Sequence, residues 1–234
     1  MNLILLEPHE IRNGEVELTG RRFEHARNVH RVICGSEVKV GVIGGKLGRG
    51  VVDRIEESSL RLSISLESDP PAPLPLRLIL AVPRPKVLNR TIAASVSMGI
   101  REIDLINSWR VEKSYWRSPG MTEENLRFQA VLGLEQSGDT ILPAIRKHPL
   151  FVPFIREKLP HEIDGRLALV ADPRAAADCP RAIESAAVLA IGPEGGFIQR
   201  ELDTFRDIGF QTVSLGPRIL RVETALAYLI GRLF

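Results

Sequence analysis

In the first third of the chain, apolar and polar residues alternate with a period of two. EVELTG, EVKVGVIGG, GRGVVDRI and LRLSISLES are such runs, and glycines at Gly20, Gly35, Gly44, Gly45 and Gly48 punctuate them. The alternation predicts strands with one buried face, and short strands joined by tight turns predict a small barrel. Between them, RRFEHARNVHRV reads as a helix. The pattern changes across SDPPAPLPL (Ser68 to Leu76), where proline and serine are densest. A domain boundary is expected there, with residues 1–69 a first domain, 70–76 a linker and 77–234 a second domain.

After the linker the period itself alternates. LRLILAV is an unbroken apolar run, as in a buried strand; VLNRTIAASVSMG has helical spacing and ends at Gly99. IREIDLINS is a strand, and TEENLRFQAVLGLEQS a helix opened by Thr122 as N-cap. LPAIRKH, a helix near FVPFIREKL, and the strands RLALVAD and AVLAIG follow. The helix IQRELDTFRDIG, the strand TVSLG and a last helix RVETALAYLIGRLF complete the chain. Strand and helix in turn predict an α/β domain with a parallel sheet covered on both faces.

Composition narrows the class. At 234 residues with 44% hydrophobic content the chain can bury a real core. No window reaches the apolar length of a membrane span, and the start MNLILLEPHE lacks the basic region of a signal peptide, so a cytoplasmic protein is expected. Cys34 and Cys179 lie far apart without a CxxC or a neighbouring histidine, which suggests neither disulfide nor metal and predicts two small core residues. The formal net charge is +2, yet eight basic residues face three acidic ones between Arg21 and Arg54, and the same ratio recurs between Arg77 and Arg117. Two basic regions are the footprint of a protein lying along a polyanion, or a solvated surface balanced by acids elsewhere.

Candidate chemistry concentrates where strands end. Ligands in a parallel sheet collect at the carboxyl ends, and three of them run into unusual loops: VADPRA, IGPEGGF and LGPRILRVETA. Gly192, Gly195, Gly196 and Gly216 permit close backbone approach. None of these loops fits GxGxxG or GxxxxGK[ST], and Glu194 would repel a phosphate, so neither a dinucleotide fold nor a phosphate loop is indicated.

IGPEGGF followed by LGPRILRVETA resembles the paired signature of the SPOUT methyltransferases, specifically the RsmE family, which methylates N3 of a uridine in 16S ribosomal RNA. HARNVHRVICGSEVKV is similar to that family's N-terminal RNA-binding barrel and GLEQS to its central helix. The resemblance implies a PUA-like β-barrel followed by a parallel sheet whose C-terminal segment is threaded into a trefoil knot. It further implies a homodimer, S-adenosylmethionine as the cofactor, and 16S rRNA or the small ribosomal subunit as partner. The cofactor would lie against Ile191, Gly192, Pro193, Gly195, Gly196, Leu215, Gly216, Ile219, Leu220 and Thr224.

The N3 imide must lose its proton before or during methyl transfer. Glu194 and Glu223 are the candidate bases, and Arg221 the candidate stabiliser of charge on the uracil oxygens. Structural readings stand beside these: Glu194 as a brace accepting backbone N–H bonds, Glu223 and Thr224 as helix caps, and Arg221 as an ion-pair partner of Glu223 or of a second subunit. Val222, Ala225, Leu226, Leu229, Ile230 and Leu233 follow helical spacing and are read as packing. Arg21, Arg22, Arg31, Arg110 and Lys113 are candidate RNA contacts, with Tyr115 and Trp116 as candidate stacking aromatics or partly buried loop residues. His25 and His30 are read as fold or RNA-surface residues. Departures from the family occur at Ala94 and Ser97, where Lys and Glu are expected, and at Gly138 and Asp139, where an Arg is usual. A methyltransferase for another RNA site, or a non-catalytic assembly factor on the same fold, are the alternatives.

Overall fold

The computed structural model describes residues 2–234. Contacts divide the chain into two compact units. One comprises residues up to Ala72 together with Ala130–Leu142; the other is Pro73–Gln129 with Pro143–Phe234. The segment Ala130–Leu142, expected within the second domain, groups with the first through specific bonds. Asn2 and Leu3 donate their backbone N–H groups to the Glu135 carbonyl, Gly44 donates to the Thr140 carbonyl, and the Thr140 hydroxyl donates to the Gly45 carbonyl.

The first unit contains β1 (Ile4–Leu6), β2 (Glu15–Thr19), α1 (Gly20–Asn28), β3 (Glu37–Val42), β4 (Leu47–Ile55) and β5 (Ser59–Ser68). They form a mixed sheet in the order β1-β3-β4-β5-β2, with β1 and β3 parallel and the other pairs antiparallel. Period two holds where expected: β2 buries Val16 and Leu18 and exposes Glu15, Glu17 and Thr19. Those side chains join Ile4, Leu6, Val40, Val52, Leu60 and Leu62, with Phe23 and Ala26 of α1 in the same core. Gly48 sits at a register shift between β4 and β5, where a Cβ would lie 1.8 Å from the Ser65 carbonyl oxygen, so only glycine fits. The first helix stops four residues short of Val32. The N–H groups of Val29 and His30 both converge on the His25 carbonyl, and Arg31 turns the chain in a left-handed conformation (φ +51°). Cys34, expected in the core, is exposed, whereas Cys179 of the second unit is buried and its thiol pKa is raised by desolvation.

The second unit contains β6 (Leu76–Ala81), α2 (Pro85–Ser97), β7 (Glu102–Ile106), the start of α3 (Glu123–Ser137), β8 (Ala144–His148), a short turn α4 (Phe151–Pro153), β9 (Leu167–Ala171), β10 (Ala187–Ile191), α5 (Gln199–Asp207), β11 (Gln211–Val213) and α6 (Val222–Leu233). Its six strands are all parallel, in the order β11-β9-β10-β6-β7-β8. The central strands β6 and β10 are buried at every residue, so both faces of the sheet are covered. Thr122 caps α3 by accepting the Asn125 N–H through its hydroxyl. The helix expected over FVPFIREKL is broken into α4, a π turn at Phe154–Lys158 and a 3₁₀ turn at Leu159–Glu162; Pro153 falls in the first turn, where no N–H is needed, but Pro160 lacks the donor a continuous helix would use.

One residue in the apolar run of β6 is charged. Arg77 is 1% exposed and is held by Asp104 (2.6 Å) and Glu162 (2.5 Å), while Asp104 also bonds His148 (2.7 Å). A buried cation demands such partners. The connection between β9 and β10 is laced to the end of the chain. Cys179 N–H donates to Ser214, Ser214 N–H to Ala177, Ala182 N–H to Arg232 and Ile183 N–H to Leu233, and the Arg232 guanidinium donates to the Cys179 carbonyl. No helix among the described residues is long and apolar enough to cross a membrane.

Candidate active site

Because all six strands run the same way, β6, β9, β10 and β11 deliver their following loops to one edge of the sheet. There the second unit holds a cavity of about 720 Å³, a size suited to a small-molecule ligand. It is lined by Arg84 after β6, Ala171 to Arg174 after β9, Ile191 to Gly196 after β10, and Val213 to Gly216 after β11. Arg218 to Glu223, Ala225 and Leu229 complete it, together with Val87, Arg90 and Arg110. Of the ten residues expected to hold a cofactor, nine line this cavity: Ile191, Gly192, Pro193, Gly195, Gly196, Leu215, Gly216, Ile219 and Leu220. Thr224 does not; it is exposed on the first turn of α6. All three candidate catalytic residues, Glu194, Arg221 and Glu223, are on the wall.

The Gly-Pro-Glu-Gly-Gly segment is a closed turn. Gly196 donates its N–H to the Pro193 carbonyl at 2.7 Å and adopts φ +71°. A Cβ on Gly192 would stand 3.0 Å from the Phe197 nitrogen and 3.1 Å from the Gly196 Cα, so the turn folds onto its own first glycine. The turn leads into α5, whose Glu201 reaches back to accept the Ile198 N–H, half of a capping box. Glu194 is exposed, and its carboxylate accepts the Arg84 backbone N–H at 3.1 Å, the residue that caps α2. It therefore braces another loop instead of its own turn.

Glu223 pairs with Arg90 of α2 at 3.1 Å and does not cap α6. Nor does Thr224: α6 begins after Arg221 with no side-chain cap bond. Arg221 occupies the N-cap position, is exposed, and makes no side-chain hydrogen bond or ion pair among the described residues. Val222, Leu226, Leu229, Ile230 and Leu233 are buried, as their spacing predicts, and Ala225 is half-buried.

Sequence reasoning passed over several wall residues. Asp172 is 5% exposed and held by Arg174 through three contacts, from its backbone N–H (2.8 Å), Nε (3.0 Å) and Nη2 (2.7 Å). Burial raises its carboxyl pKa, but the Arg174 bonds outweigh that and hold it below 3.8. The only signal was VADPRA itself, an acid at a strand end two residues before an arginine. Arg84, Arg90 and Arg218 were also missed, since nothing local distinguishes them from solvated arginines. The wall thus carries six arginines against three carboxylates.

The basic residues singled out for RNA separate. Arg110 lines the cavity, and its guanidinium donates to the Gly195 carbonyl. Lys113 is exposed on the same loop, and Arg31 is exposed in the first unit. Arg21 pairs with Glu135 at 2.9 Å. The Arg22 guanidinium is occupied by Glu10 (2.8 and 2.5 Å) and the Leu5 carbonyl (2.9 Å), a packing role that leaves it little to offer a phosphate. Tyr115 and Trp116 are half-buried in a 3₁₀ turn; the Tyr115 hydroxyl donates to Glu112 and the Trp116 indole N–H to Asn107. No cluster of three or more metal-ligating side chains occurs among the described residues.

An all-parallel sheet with a glycine-edged cavity across its strand ends defines the class of the second unit, and the RNA methyltransferase domain family matches residues 70–233. The chain is 32% identical over 232 residues to ribosomal RNA small subunit methyltransferase E of Treponema pallidum, covering 96% of this chain and 87% of that protein. The chain belongs to that family of ribosomal RNA small subunit methyltransferases. Its fold is that of the crystal structure of a ribosomal RNA small subunit methyltransferase E from Neisseria gonorrhoeae bound to S-adenosylmethionine (TM-score 0.75, 24% identity, 98% of this chain and 95% of that one). A Legionella pneumophila methyltransferase structure, also with bound S-adenosylmethionine, is similar at TM-score 0.74 and 24% identity, covering 97% of this chain and 96% of that one.

Proposed function

We propose that the protein transfers a methyl group from S-adenosylmethionine to N3 of a uridine in 16S ribosomal RNA, as a cytoplasmic homodimer. The observation that carries this reading is the cavity itself: nine expected donor-contacting residues and three expected catalytic side chains line one space at the strand ends. The lining fits the donor chemically. Glycines bring backbone close, carboxylates on the wall suit a cationic sulfur, and the volume suits a nucleoside with an amino-acid tail.

S-adenosylmethionine, when bound, supplies an electrophilic methyl on a positively charged sulfur. The chain's own residues must then align the uridine and manage its proton. Glu194 has no cationic partner among the described residues, whereas Glu223 is neutralised by Arg90. Glu194 is therefore the preferred acceptor for the N3 proton, a role worth about 10²–10⁴-fold in rate. Arg221 holds the negative charge that develops on the uracil oxygens. Orientation of N3 against the methyl accounts for much of the remaining acceleration.

The lacing of the β9–β10 connection to Ser214, Arg232 and Leu233 supports a knotted C-terminal segment, and the mixed sheet of the first unit supports a PUA-like RNA-binding barrel over residues 1–69. The catalytic domain is then the second unit, Pro73–Gln129 with Pro143–Phe234, and the linker is the proline-rich stretch ahead of β6.

Two measurements test the function. Calorimetry with S-adenosylmethionine should show one site per chain, and no binding would favour a non-catalytic assembly factor. Mapping modified nucleotides in 16S rRNA from a deletion strain should reveal a missing N3-methyluridine. A full complement there would overturn the uridine assignment and leave another RNA site.

A further inference from the structure

We propose that Trp109 is a stacking platform for an unpaired base of the RNA substrate, set beside the cavity; this rests on the methyltransferase function proposed above. The indole is 79% exposed. Its backbone, by contrast, is fastened on every side. Asn107 donates its N–H to the His148 carbonyl (3.1 Å), and Trp109 donates its N–H to Glu201 Oε1 (2.7 Å), a carboxylate on a residue only 6% exposed at the start of α5. Arg110 holds the Gly195 carbonyl of the cavity wall, and Val111, 8% exposed, donates to Ser108. A large ring on so firm a pedestal keeps its faces in water at the cost of unburied apolar area. Such a ring is preorganised for a flat partner.

The surroundings say what that partner is. Exposed Arg110 and Lys113 follow in sequence, and six arginines against three carboxylates line the adjoining wall. Cationic side chains around an aromatic face are the means by which proteins hold single-stranded nucleic acid. The neighbouring aromatics are less available, since Tyr115 and Trp116 are half-buried and bonded to Glu112 and Asn107. A second copy of the chain is the poorer occupant, because a two-fold contact centred here would bring the same cations face to face.

The chain has two tryptophans, so Trp116→Phe leaves Trp109 as the sole indole. Titrating that variant with a short oligouridylate should quench its fluorescence saturably and less strongly as salt rises, and S-adenosylmethionine alone should leave the emission unchanged. In the otherwise unaltered protein, Trp109→Ala should lower kcat/KM for ribosomal RNA about 5- to 150-fold, the range expected for one lost base stack. Trp109→Phe should restore most of it, and the donor affinity should not move.

Unquenched fluorescence together with unchanged kcat/KM overturns the proposal, as does a shift of Trp109→Ala to a smaller species on gel filtration. Absence of methyl transfer by the unaltered protein would instead overturn the proposed function. The titration, which needs no turnover, would still decide the role of Trp109.

Discussion

Three glycines share the turn after β10, and a methyl group added to each meets a different obstacle. At Gly192 it would lie 3.0 Å from the Phe197 nitrogen, 3.1 Å from the Gly196 Cα and 3.2 Å from the Gly196 carbonyl carbon. All three atoms are backbone, so none can rotate away, and overpacking of this kind costs about 1–3 kcal/mol. At Gly195 the nearest atom is Arg110 Cδ at 2.9 Å, which belongs to a flexible, exposed side chain. Its retreat costs at most the exposed guanidinium bond to the Gly195 carbonyl, about 0.5–1 kcal/mol. At Gly196 nothing lies within 4 Å, but φ is +71°, and the left-handed conformation costs a side-chain-bearing residue about 1–2 kcal/mol.

For a chain of this size about 2 kcal/mol corresponds to roughly 4–8 °C in Tm. Differential scanning fluorimetry of the three alanine variants should therefore show Gly192→Ala and Gly196→Ala lowered by several degrees and Gly195→Ala close to the parent. Calorimetry with S-adenosylmethionine should follow the same order, because the strained turn is also the cavity wall; a loss of about 2 kcal/mol weakens binding roughly 30-fold. Equal shifts for all three substitutions, or parental Tm and donor affinity in Gly192→Ala, would refute the reasoning.

Further outcomes follow from single side chains. Arg221→Ala should reduce kcat by about 10²–10³-fold with S-adenosylmethionine affinity within a few-fold of the parent; parental turnover would remove Arg221 from the site. Glu194→Gln keeps an oxygen for the Arg84 N–H and loses basicity, so a fall in kcat of about 10²–10⁴-fold without change in Tm identifies proton transfer. Full activity in Glu194→Gln combined with low Tm in Glu194→Ala identifies the brace. Asp172 has a folded pKa held below 3.8, so its contribution to stability is complete above pH 3.8 and is lost as pH falls through the lower folded value. Acid denaturation of Asp172→Asn should lack that limb, and an acid limb identical to the parent's would contradict the Arg174 contacts.

The order of strands and helices was legible because each element has a clean period. β2 alternates, β6 and β10 are unbroken apolar runs, and α3 opens with a capping threonine. Position along the chain also located the cavity, since a parallel sheet sends its βα loops to one edge. What escaped was everything set by contact between distant segments. Arg77 in β6 cannot be called buried until Asp104 and Glu162 are seen beside it. Arg22 reads as a phosphate ligand until Glu10 occupies it. Ala130–Leu142 continues an ordinary helix, and only the bonds of Glu135 and Thr140 assign it to the first unit. The irregular end of the helix that starts at Phe151 was foreseeable from Pro160, whose missing donor outweighs apolar spacing.

The charges of the wall sort themselves by partner, and the sorting bears on mechanism more than their number does. Asp172 is matched by Arg174 and Glu223 by Arg90, so two of the three carboxylates are committed as neutral pairs. For Asp172 the Arg174 bonds hold the carboxyl below its ordinary value, which makes it the weaker base. Glu194 accepts only a backbone N–H, and Arg221 engages no carboxylate among the described residues. One acid, Glu194, therefore stands without a cationic partner among the described residues, while Arg218 and Arg221 both stand on the wall without a carboxylate; in the function proposed above, Glu194 takes the imide proton and Arg221 meets the charge left on the uracil oxygens. The surplus arginines serve a different demand. A sulfonium donor gains nothing from added cations, so on the function proposed above the surplus arginines of the wall are assigned to the other substrate, whose backbone is a string of phosphates.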